Sequence, residues 1–495
     1  MKFARSSGIL LNPTSLPGRF GIGDLGVHAY RFVDMLIKCK QKLWQIFPLG
    51  PIGHGNSPYQ SFSAFAGNPL LISIEKLAEK GLLSQRDLQI QKPFGDHRVD
   101  YRRVFQTKSA LFKKAHKYFS TAATSSQLAT FNNFCRQQQD WLEDYALFMA
   151  LNEYHNGAAW NTWEKNFVIR NPKAINNIRE QLKTQSSYYK FLQYLFFDQW
   201  LELKAYANRH SIKIIGDIPI FVSFHSVDAW SHPELFFFDD AGNPQYVAGV
   251  PPDYFSSTGQ LWGNPLYRWD HVKEQGYRWW IARFARTFEV VDIVRVDHFR
   301  GFAAYWSVPA SEQNAINGRW EPGPGEDFFR AVENELGKLP IIAEDLGMIT
   351  PDVITLRDAF GFPGMKILQF AFESDANNVY LPHTYQQNCV VYTGTHDNNT
   401  TLGWYLKCSN KKRKWINTYL NTDGNDICWD LIRAAWASVA DMAIIPLQDM
   451  LQLGREARMN TPGTTGKNWD WRFTWDMVTP DIKNRLKTLT QIYAR

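Results

Sequence analysis

The sequence predicts an α/β fold: a (β/α)8 TIM barrel with large, mostly helical subdomains inserted in its βα loops. Two observations predict this fold. Eight short runs of aliphatic and β-branched residues follow one another along the chain, as buried parallel strands require. Helix-like segments separate several of these runs. The 495 residues are enough for one such barrel with insertions, and a doubly wound parallel sheet is the alternative.

The predicted strands end in glycine, proline or polar residues. In chain order they are GILLNP near Ile9, KLWQIFPLG near Trp44, IKIIGDIPI near Ile215, VVDIVRV near Ile293, LPIIAEDLG near Ile342, MKILQF near Ile367, CVVYTG near Val391 and MAIIPLQD near Ile444. The segment EDFFRAVENEL precedes the fifth strand and TPDVITLRDAF follows it, and both have the character of helices. Thr350 is a suitable N-cap for the second of them, because Pro351 then takes the first helical position.

Two of the gaps between strands are too long for simple crossovers. We expect a helical insertion subdomain at residues 55–205, between strands two and three, and a second insertion at residues 222–285, between strands three and four. One helical face in the first insertion contains Tyr101, Val104, Phe105, Leu111, Phe112, Ala115, Tyr118 and Phe119. No repeat or flexible linker divides the chain, so residues 1–495 are predicted to form a single barrel domain.

Composition excludes several classes of protein. Hydrophobic residues make up 44% of the chain and charged residues 21%, as in a folded soluble protein. No apolar run reaches the ~18 residues that a membrane helix needs, and the N-terminus resembles neither a signal nor a transit peptide. The net charge of +6 comes from dispersed Lys and Arg, which argues against a nucleic-acid partner. The five cysteines form no CxxC pair, which predicts a reducing compartment without disulfides or structural zinc.

Aromatic residues are in excess. The chain has 19 Trp, 21 Tyr and 34 Phe, a content that suits stacking against the flat apolar faces of sugar rings. Nucleic-acid and protein interfaces use the same residues, so this excess alone does not select a ligand.

Carboxylates stand at the ends of four predicted strands. They are Asp217 in IIGDIP, Asp297 in VRVDHFRG, Glu344 in IIAEDLG, which Asp345 follows, and Asp397 in YTGTHDNN. Side chains at the carboxyl ends of barrel strands point into the mouth that the βα loops build. We therefore expect these acids to converge on one rim.

Several chemistries use clustered acids. A metal site among Asp297, His298, Glu344 and His396 lacks the tight HxH or HExxH spacing that such sites show, so neither a metal nor another cofactor is expected. No GxxxxGK(S/T) phosphate-binding loop is present for phosphoryl transfer. Glycoside chemistry fits better, because it needs an ionised carboxylate as nucleophile and a protonated carboxyl group as acid.

The neighbours of two acids suggest a division of labour. Arg295 lies two residues before Asp297, so both side chains share one face of the strand, and the guanidinium favours an ionised nucleophile. Glu344 follows the apolar run Ile341–Ala343, which favours its protonated form. We expect Asp297 to attack and Glu344 to donate the proton.

Motifs in a fixed order along nearly the whole chain carry a family resemblance. They are GILLNPTSLPGRFGIGDLG, GNSPYQSFSAFAGNPLLI, GDIPIFV, GVPPDYFSSTGQLWGNPLYRW, VRVDHFRGF, AEDLG, THDNNT, NTPGT and NWDWR. The chain resembles the 4-α-glucanotransferases (amylomaltases or disproportionating enzymes) of glycoside hydrolase family 77, in the α-amylase clan. The resemblance implies that Asp297 is the nucleophile, Glu344 the general acid/base and Asp397 the stabiliser of the transition state.

The resemblance also implies residues that contact sugar. Arg295 and His396 match supporting residues next to the nucleophile, and Asp217 matches the aspartate of the third-strand motif. The remaining expected contacts are Tyr254 and Phe255 at the tip of a lid loop, Gln260 and Trp262 at sugar subsites, Ser57 on the acceptor side, Tyr59 in a secondary glucan-binding groove and Asn460 near the donor subsites.

The implied reaction is retaining transfer of α-1,4-glucan segments, from a maltooligosaccharide or starch donor to the 4-hydroxyl of glucose or another glucan. An α-amylase-type hydrolase of α-1,4-glucans is the alternative, since it shares the acids. The implied partners are the glucan donor and the glucose or maltooligosaccharide acceptor, with no nucleic acid and no membrane. We expect a monomer or weak homo-oligomer in the cytoplasm, or in the plastid stroma if the source is a plant.

Overall fold

The computed structural model describes residues 2–252, 256–464 and 466–495. The strands in these residues are β1 (Ser6–Leu10), β2 (Leu43–Gln45), β3 (Lys213–Pro219), β4 (Tyr246–Val250), β5 (Gln260–Pro265), β6 (Ile293–Asp297), β7 (Ala304–Pro309), β8 (Arg319–Pro322), β9 (Ile341–Ala343), β10 (Gly364–Ile367), β11 (Cys389–Tyr392) and β12 (Met442–Pro446).

The α-helices of the same residues surround these strands. They are α1 (Val27–Lys38), α2 (Ile74–Glu79), α3 (Tyr101–Ala122), α4 (Ser125–Gln137), α5 (Gln139–Tyr154), α6 (Lys165–Val168), α7 (Pro172–Gln181), α8 (Lys183–Arg209), α9 (Val227–Ser231), α10 (Trp269–Glu274), α11 (Arg278–Val290), α12 (Gly325–Leu336), α13 (Pro351–Ala359), α14 (Thr401–Tyr405), α15 (Asn410–Leu420), α16 (Ile427–Ala437), α17 (Leu447–Met450) and α18 (Pro480–Ile492).

Eight strands form a closed parallel barrel. Their order around the barrel is β1-β2-β3-β6-β9-β10-β11-β12, and β12 pairs with β1 to close it. Each of the eight predicted strands is one of these, so the predicted (β/α)8 barrel is confirmed. Barrel strands are covered on both faces, by the barrel interior and by the outer helices, which explains why β1, β11 and β12 are buried at every residue.

Helices α2 to α8 lie between β2 and β3, where the sequence predicted a helical insertion. In α3 the buried stripe consists of Val104, Lys108, Phe112, Ala115 and Phe119. Two residues predicted for the same face are instead largely exposed: Phe105 at 62% and Tyr118 at 50%. Both lie at the flanks of the stripe, which is too narrow to cover them, whereas Lys108 lies at its centre.

A second sheet stands beside the barrel. It is antiparallel, with strand order β5-β4-β7-β8. Strands β4 and β5 come from the predicted second insertion, but β7 and β8 follow β6 and were not foreseen in the sequence. The sheet therefore joins two successive βα loops of the barrel, one of which directly follows Asp297.

A large hydrophobic cluster runs through the barrel and the helices that surround it. Its largest fully buried members include Trp44 on β2, Trp200 on α8, Trp280 on α11 and Trp436 on α16. None of the helices in the described part of the chain has the length and apolar content required to cross a membrane.

Candidate active site

The four predicted acids stand at the carboxyl ends of four barrel strands. Asp217 lies in β3, Asp297 is the last residue of β6, Glu344 directly follows β9, and Asp397 lies in the loop after β11. Arg295 on β6 interacts electrostatically with Asp217, Asp297 and Glu344. The structure thus brings the acids of three adjacent strands to one guanidinium.

Arg295 joins two carboxylates. Its Nη1 lies 2.6 Å from Oδ2 of Asp217, and its Nη2 lies 2.8 Å from Oδ1 of Asp297. The register of β3 and β6 pairs Asp217 with Arg295, so backbone pairing sets the first contact. The side chain of Asp217 is 1% exposed and that of Asp297 is 28% exposed. The guanidinium is therefore held by the buried Asp217 and orients Asp297, which is exposed to the mouth of the barrel.

Tyr59 also contacts Asp217. Its hydroxyl donates a hydrogen bond to Oδ2 of Asp217 at 2.8 Å. Burial raises the pKa of Asp217 to about 7, against the opposing effect of Arg295. Burial also raises the pKa of Tyr59 well above its usual value, so the phenol stays a neutral donor. The Tyr59 side chain thus lies at the mouth of the barrel, whereas the resemblance implied a place in a secondary glucan-binding groove.

Ser57 supports the turn that carries Tyr59. The Oγ of Ser57 accepts a hydrogen bond from the backbone N–H of Tyr59 at 3.2 Å. This contact shapes the NSPYQ segment, which directs the tyrosine ring towards the barrel.

Glu344 is held by two backbone groups. Its Oε2 accepts a hydrogen bond from the N–H of His298 at 2.6 Å, and its Oε1 accepts one from the N–H of Leu346 at 3.0 Å. Burial raises the pKa of Glu344 to about 8, and the nearby Asp297 adds to the rise. At neutral pH this carboxyl group is therefore mainly protonated.

His396 and Asp397 form the opposite side of the mouth. The ring of His396 stacks on Tyr59 at 5.1 Å between centroids, and burial lowers its pKa, so the imidazole is neutral. Its Nε2 lies 3.4 Å from Oδ2 of Asp397, whose side chain is 46% exposed. Asn460 donates from Nδ2 to Oδ1 of Asp397 at 2.6 Å and from its backbone to the carbonyl of His396 at 3.1 Å.

Strand β5 supplies the aromatic wall of the site. Trp262 donates from Nε1 to Oε1 of Gln260 at 3.2 Å. Its ring meets the imidazole of His298 edge to face, with centroids 4.8 Å apart. Tyr254 and Phe255, the predicted tip of the lid, lie outside the described residues.

Comparison with known proteins gives the family. A profile of the family described as 4-alpha-glucanotransferase matches residues 11–478. A 4-alpha-glucanotransferase from Synechocystis is 52% identical over 99% of this chain and 98% of its own length, and one from Thermus thermophilus is 46% identical over the full length of both. An amylomaltase structure from Streptococcus agalactiae, in complex with acarbose, superposes with a TM-score of 0.96 at 41% identity and covers 99% of each chain.

This chain belongs to the 4-alpha-glucanotransferase family. It is an enzyme of that class, since curated relatives at 42–52% identity over nearly the whole chain bear the name. The family resemblance seen in the sequence is confirmed, and the match to the amylomaltase structure extends over the barrel and both insertions.

His298 of this glucanotransferase has a larger place in the site than the sequence suggested. It adopts a left-handed backbone conformation, with φ of 53°. Burial lowers the pKa of its imidazole to about 3, and its Nε2 has no hydrogen-bond partner among the described residues. Its position directly after Asp297 was the signal available in the sequence.

Other residues complete the surroundings. Phe47 and Trp469 pack on the ring of His396, with centroids at 4.7 and 5.6 Å. The NWDWR motif contains Trp469, but no sequence pattern indicates that this ring packs on His396. Arg300 anchors the loop after β6, since its guanidinium lies 3.9 Å from the centre of the ring of Trp320 on β8. In the described part of the chain, no three His, Cys, Asp or Glu side chains are grouped to hold a metal ion.

Proposed function

We propose that this glucanotransferase transfers α-1,4-glucan segments by retaining double displacement. The donor is a maltooligosaccharide or starch chain, and the acceptor is the 4-hydroxyl of glucose or another glucan. One observation carries the proposal: a carboxyl group with a pKa of about 8, Glu344, shares the mouth with Asp297, which Arg295 orients. A protonated and an unprotonated carboxyl group are the two requirements of this chemistry.

In the first half-reaction, the carboxylate of Asp297 attacks the anomeric carbon of the donor. The glycosidic bond breaks as Glu344 transfers its proton to the departing oxygen, and a covalent glycosyl-enzyme ester results. The acceptor-side fragment of the donor leaves with a free 4-hydroxyl group. Glu344 is now ionised, and the two backbone N–H groups at its oxygens stabilise that charge.

In the second half-reaction, Glu344 removes the proton from the 4-hydroxyl of the incoming acceptor. The acceptor oxygen attacks the anomeric carbon, and the ester bond to Asp297 breaks. A new α-1,4 bond forms, with two inversions giving net retention, and both carboxyl groups return to their starting states.

The other predicted residues support these steps. Asp397 faces the open mouth and stabilises the positive charge that develops on the sugar ring. Asn460 donates a hydrogen bond to Asp397, and the neutral His396 lies beside it. Asp217 and Tyr59 act on the site through Arg295.

The acceptor side decides between transfer and hydrolysis. Gln260 and Trp262, together with Tyr254, Phe255 and Ser57, bind the acceptor sugar and exclude water from the ester intermediate. The edge-to-face contact of Trp262 with His298, next to Asp297 in the chain, supports this role for the strand.

Product analysis from maltotriose tests the proposal. The wild-type enzyme yields glucose together with chains longer than the substrate, whereas Asp297→Ala yields neither. Asp292→Asn is the control, since this acid lies before β6 and accepts a hydrogen bond from the backbone of Ile214 at 2.7 Å. Chain lengthening by Asp297→Ala contradicts the assignment, and reducing-end release by the wild type without lengthening favours the α-amylase-type hydrolase.

A second experiment separates the two acids. A maltosyl fluoride donor needs no protonation of its leaving group, so Glu344→Gln still forms the ester and Asp297→Asn does not. Mass spectrometry of the intact protein detects the added maltosyl group. An adduct on Asp297→Asn would show that another residue is the nucleophile.

Three earlier expectations belong to the same proposal. We place the enzyme in the cytoplasm, or in the plastid stroma if it comes from a plant, and we propose a monomer or weak homo-oligomer. Residues 55–205 and 222–285 are proposed as the two subdomains that shape the glucan-binding surface. Sedimentation velocity of the purified enzyme tests the state of assembly.

A further inference from the structure

The loop between β11 and α14 carries two residues of the proposed site. It begins at Thr393 and leads to Thr401, the first residue of α14, with His396 and Asp397 between them. Asp397 acts only when charge develops on the sugar, so its position relative to the sugar matters more than its presence.

Both ends of this loop are tied to one buried carboxylate, that of Asp449 on α17. Oδ2 of Asp449 accepts hydrogen bonds from Oγ1 of Thr393 at 2.5 Å and from Oγ1 of Thr401 at 2.7 Å. Its Oδ1 accepts one from the backbone N–H of Thr401 at 2.7 Å. All three residues are 0% exposed.

Residues between the two ends of the loop form further hydrogen bonds. Oδ1 of Asn398 accepts from the backbone of Thr395 at 2.8 Å, and the side chain of Gln369 donates to the carbonyl of Asn399 at 2.8 Å. A cavity of about 20 Å³ is lined by residues that include His396 and Asp449.

Burial of the Asp449 carboxylate costs free energy of folding. A buried carboxylate loses its hydration, and well-packed apolar residues would stabilise the barrel as well or better. The three donors on Asp449 offset that cost only while the loop holds its observed shape. A requirement for that shape explains why a carboxylate occupies the position.

We infer that Asp449 is a positioning residue: it clamps the Thr393–Thr401 loop and thereby sets where Asp397 stands against the sugar. The inference rests on the proposed role of Asp397. Asp449 acts through the two threonines and takes no part in the bond changes.

Two nearly isosteric variants test the clamp. Thr393→Val and Thr401→Val each remove one hydroxyl donor to Asp449, and the backbone bond of Thr401 remains. We expect kcat on maltotriose to fall at least about tenfold in each, with KM changed less than about threefold, because a displaced Asp397 weakens the transition state more than the ground state. Affinity for acarbose is expected to fall with kcat, whereas affinity for maltose stays unchanged.

Asp449 itself gives a rescue test. Asp449→Asn keeps the size of the side chain, one carbonyl acceptor and an amide that donates to a threonine oxygen, whereas Asp449→Leu keeps only the size. We expect Asp449→Asn to retain at least about ten times more kcat than Asp449→Leu at a temperature where both are folded. Equal kcat in the two variants would overturn the inference.

Thr490→Val is the matched control. Thr490 is 1% exposed, and its Oγ1 accepts bonds from Gln41 at 2.9 Å and Trp436 at 3.1 Å, far from the mouth. This variant is expected to lower Tm as Thr393→Val does but to keep wild-type kcat. If Thr393→Val lowers only Tm, the clamp has no role in positioning and the inference fails.

One further variant separates this inference from the proposed function. Asp397→Asn is expected to lose nearly all activity. If it does, and the Thr393 and Thr401 variants keep wild-type kcat, only the clamp is wrong. If Asp397→Asn keeps full activity, the proposed role of Asp397 fails, and the clamp fails with it.

Discussion

At the scale of single residues, burial sets the protonation states of the site. The same enclosed mouth raises the pKa of Glu344 and lowers the pKa of His298 and His396. Two neutral imidazoles and one protonated carboxyl group result, beside the permanent charge of Arg295. A neutral imidazole that contacts a sugar hydroxyl, as we propose for His396, does not draw the proton away from Glu344.

The pKa of Glu344 predicts an alkaline limit of activity. The proposed acid must be protonated in the free enzyme, so kcat/KM is expected to fall as pH rises through about 8, tenfold for each further unit. Measurement of kcat/KM for maltotriose between pH 6 and pH 10 checks this. A maltosyl fluoride donor is the control, since its first step needs no acid and its profile stays flat in the same range. A midpoint near pH 5 would contradict the assignment.

The stability of the fold is also expected to depend on the protonation of Glu344 and to fall as pH rises. The folded pKa of Glu344 lies above its unfolded value, so its protonated form stabilises the fold at low pH and this contribution is lost as pH rises through about 8. Glu344→Gln removes the titration. Thermal unfolding at pH 6 and pH 9 should therefore show a smaller loss of Tm in the variant than in the wild type.

Tyr59 gives the third test at this scale. Tyr59→Phe deletes the hydroxyl that donates to Asp217 but keeps the ring that stacks on His396. We expect kcat/KM to fall roughly fivefold, about 1 kcal/mol, with Tm nearly unchanged. Kinetics on maltotriose, which is too short to reach a distant groove, check the effect. Unchanged kinetics with weakened binding of long glucans would restore the secondary-groove reading.

At the scale of elements, the barrel was predictable because its strands are local signals. Each buried strand is a short apolar run, and strand ends in a parallel barrel share one rim, so Asp297, Glu344 and Asp397 followed from sequence. The contact of Tyr59 with Asp217 did not, because the two residues are 158 positions apart and no local pattern encodes their contact. The second sheet was not predicted for the same reason, since β4 pairs with β7 and the barrel strand β6 lies between them in the sequence.

The edge strand β5 yields a prediction about this second sheet. Trp262→Ala removes the ring that packs on His298, so under the proposed acceptor role the acceptor should bind less tightly and water should reach the ester more often. We expect the KM for glucose as acceptor to rise about tenfold, or about 1.4 kcal/mol, and the ratio of hydrolysis to transfer to rise with it. Leu261→Ala is the control, since its side chain points to the opposite face and is 38% exposed. Equal effects of both variants would indicate a general loosening of the sheet.

At the scale of the whole molecule, the helical insertion is joined to the barrel by a buried charge. Lys108 on α3 is 0% exposed, donates from Nζ to the carbonyl of Leu70 at 2.7 Å and lies 3.8 Å from Asp24 in the loop after β1. Burial raises the pKa of Asp24 to about 6, Lys108 opposes the rise, and Glu75 and Arg472 act in opposite senses from nearby. Lys108 thus links α3 both to the backbone of Leu70 and to Asp24 of the barrel loop.

Lys108→Met is expected to lower the free energy of unfolding by about 3 kcal/mol at pH 7.5, because it leaves the carboxylate of Asp24 buried without its cation. The loss should shrink towards pH 5. Without Lys108 the folded pKa of Asp24 rises further, and a carboxyl group with a raised pKa stabilises the fold as it protonates. Asp24→Asn together with Lys108→Met should recover most of the loss and remove the pH dependence. Urea unfolding of the single and double variants at both pH values measures the coupling, and additive losses would show that the two groups do not interact.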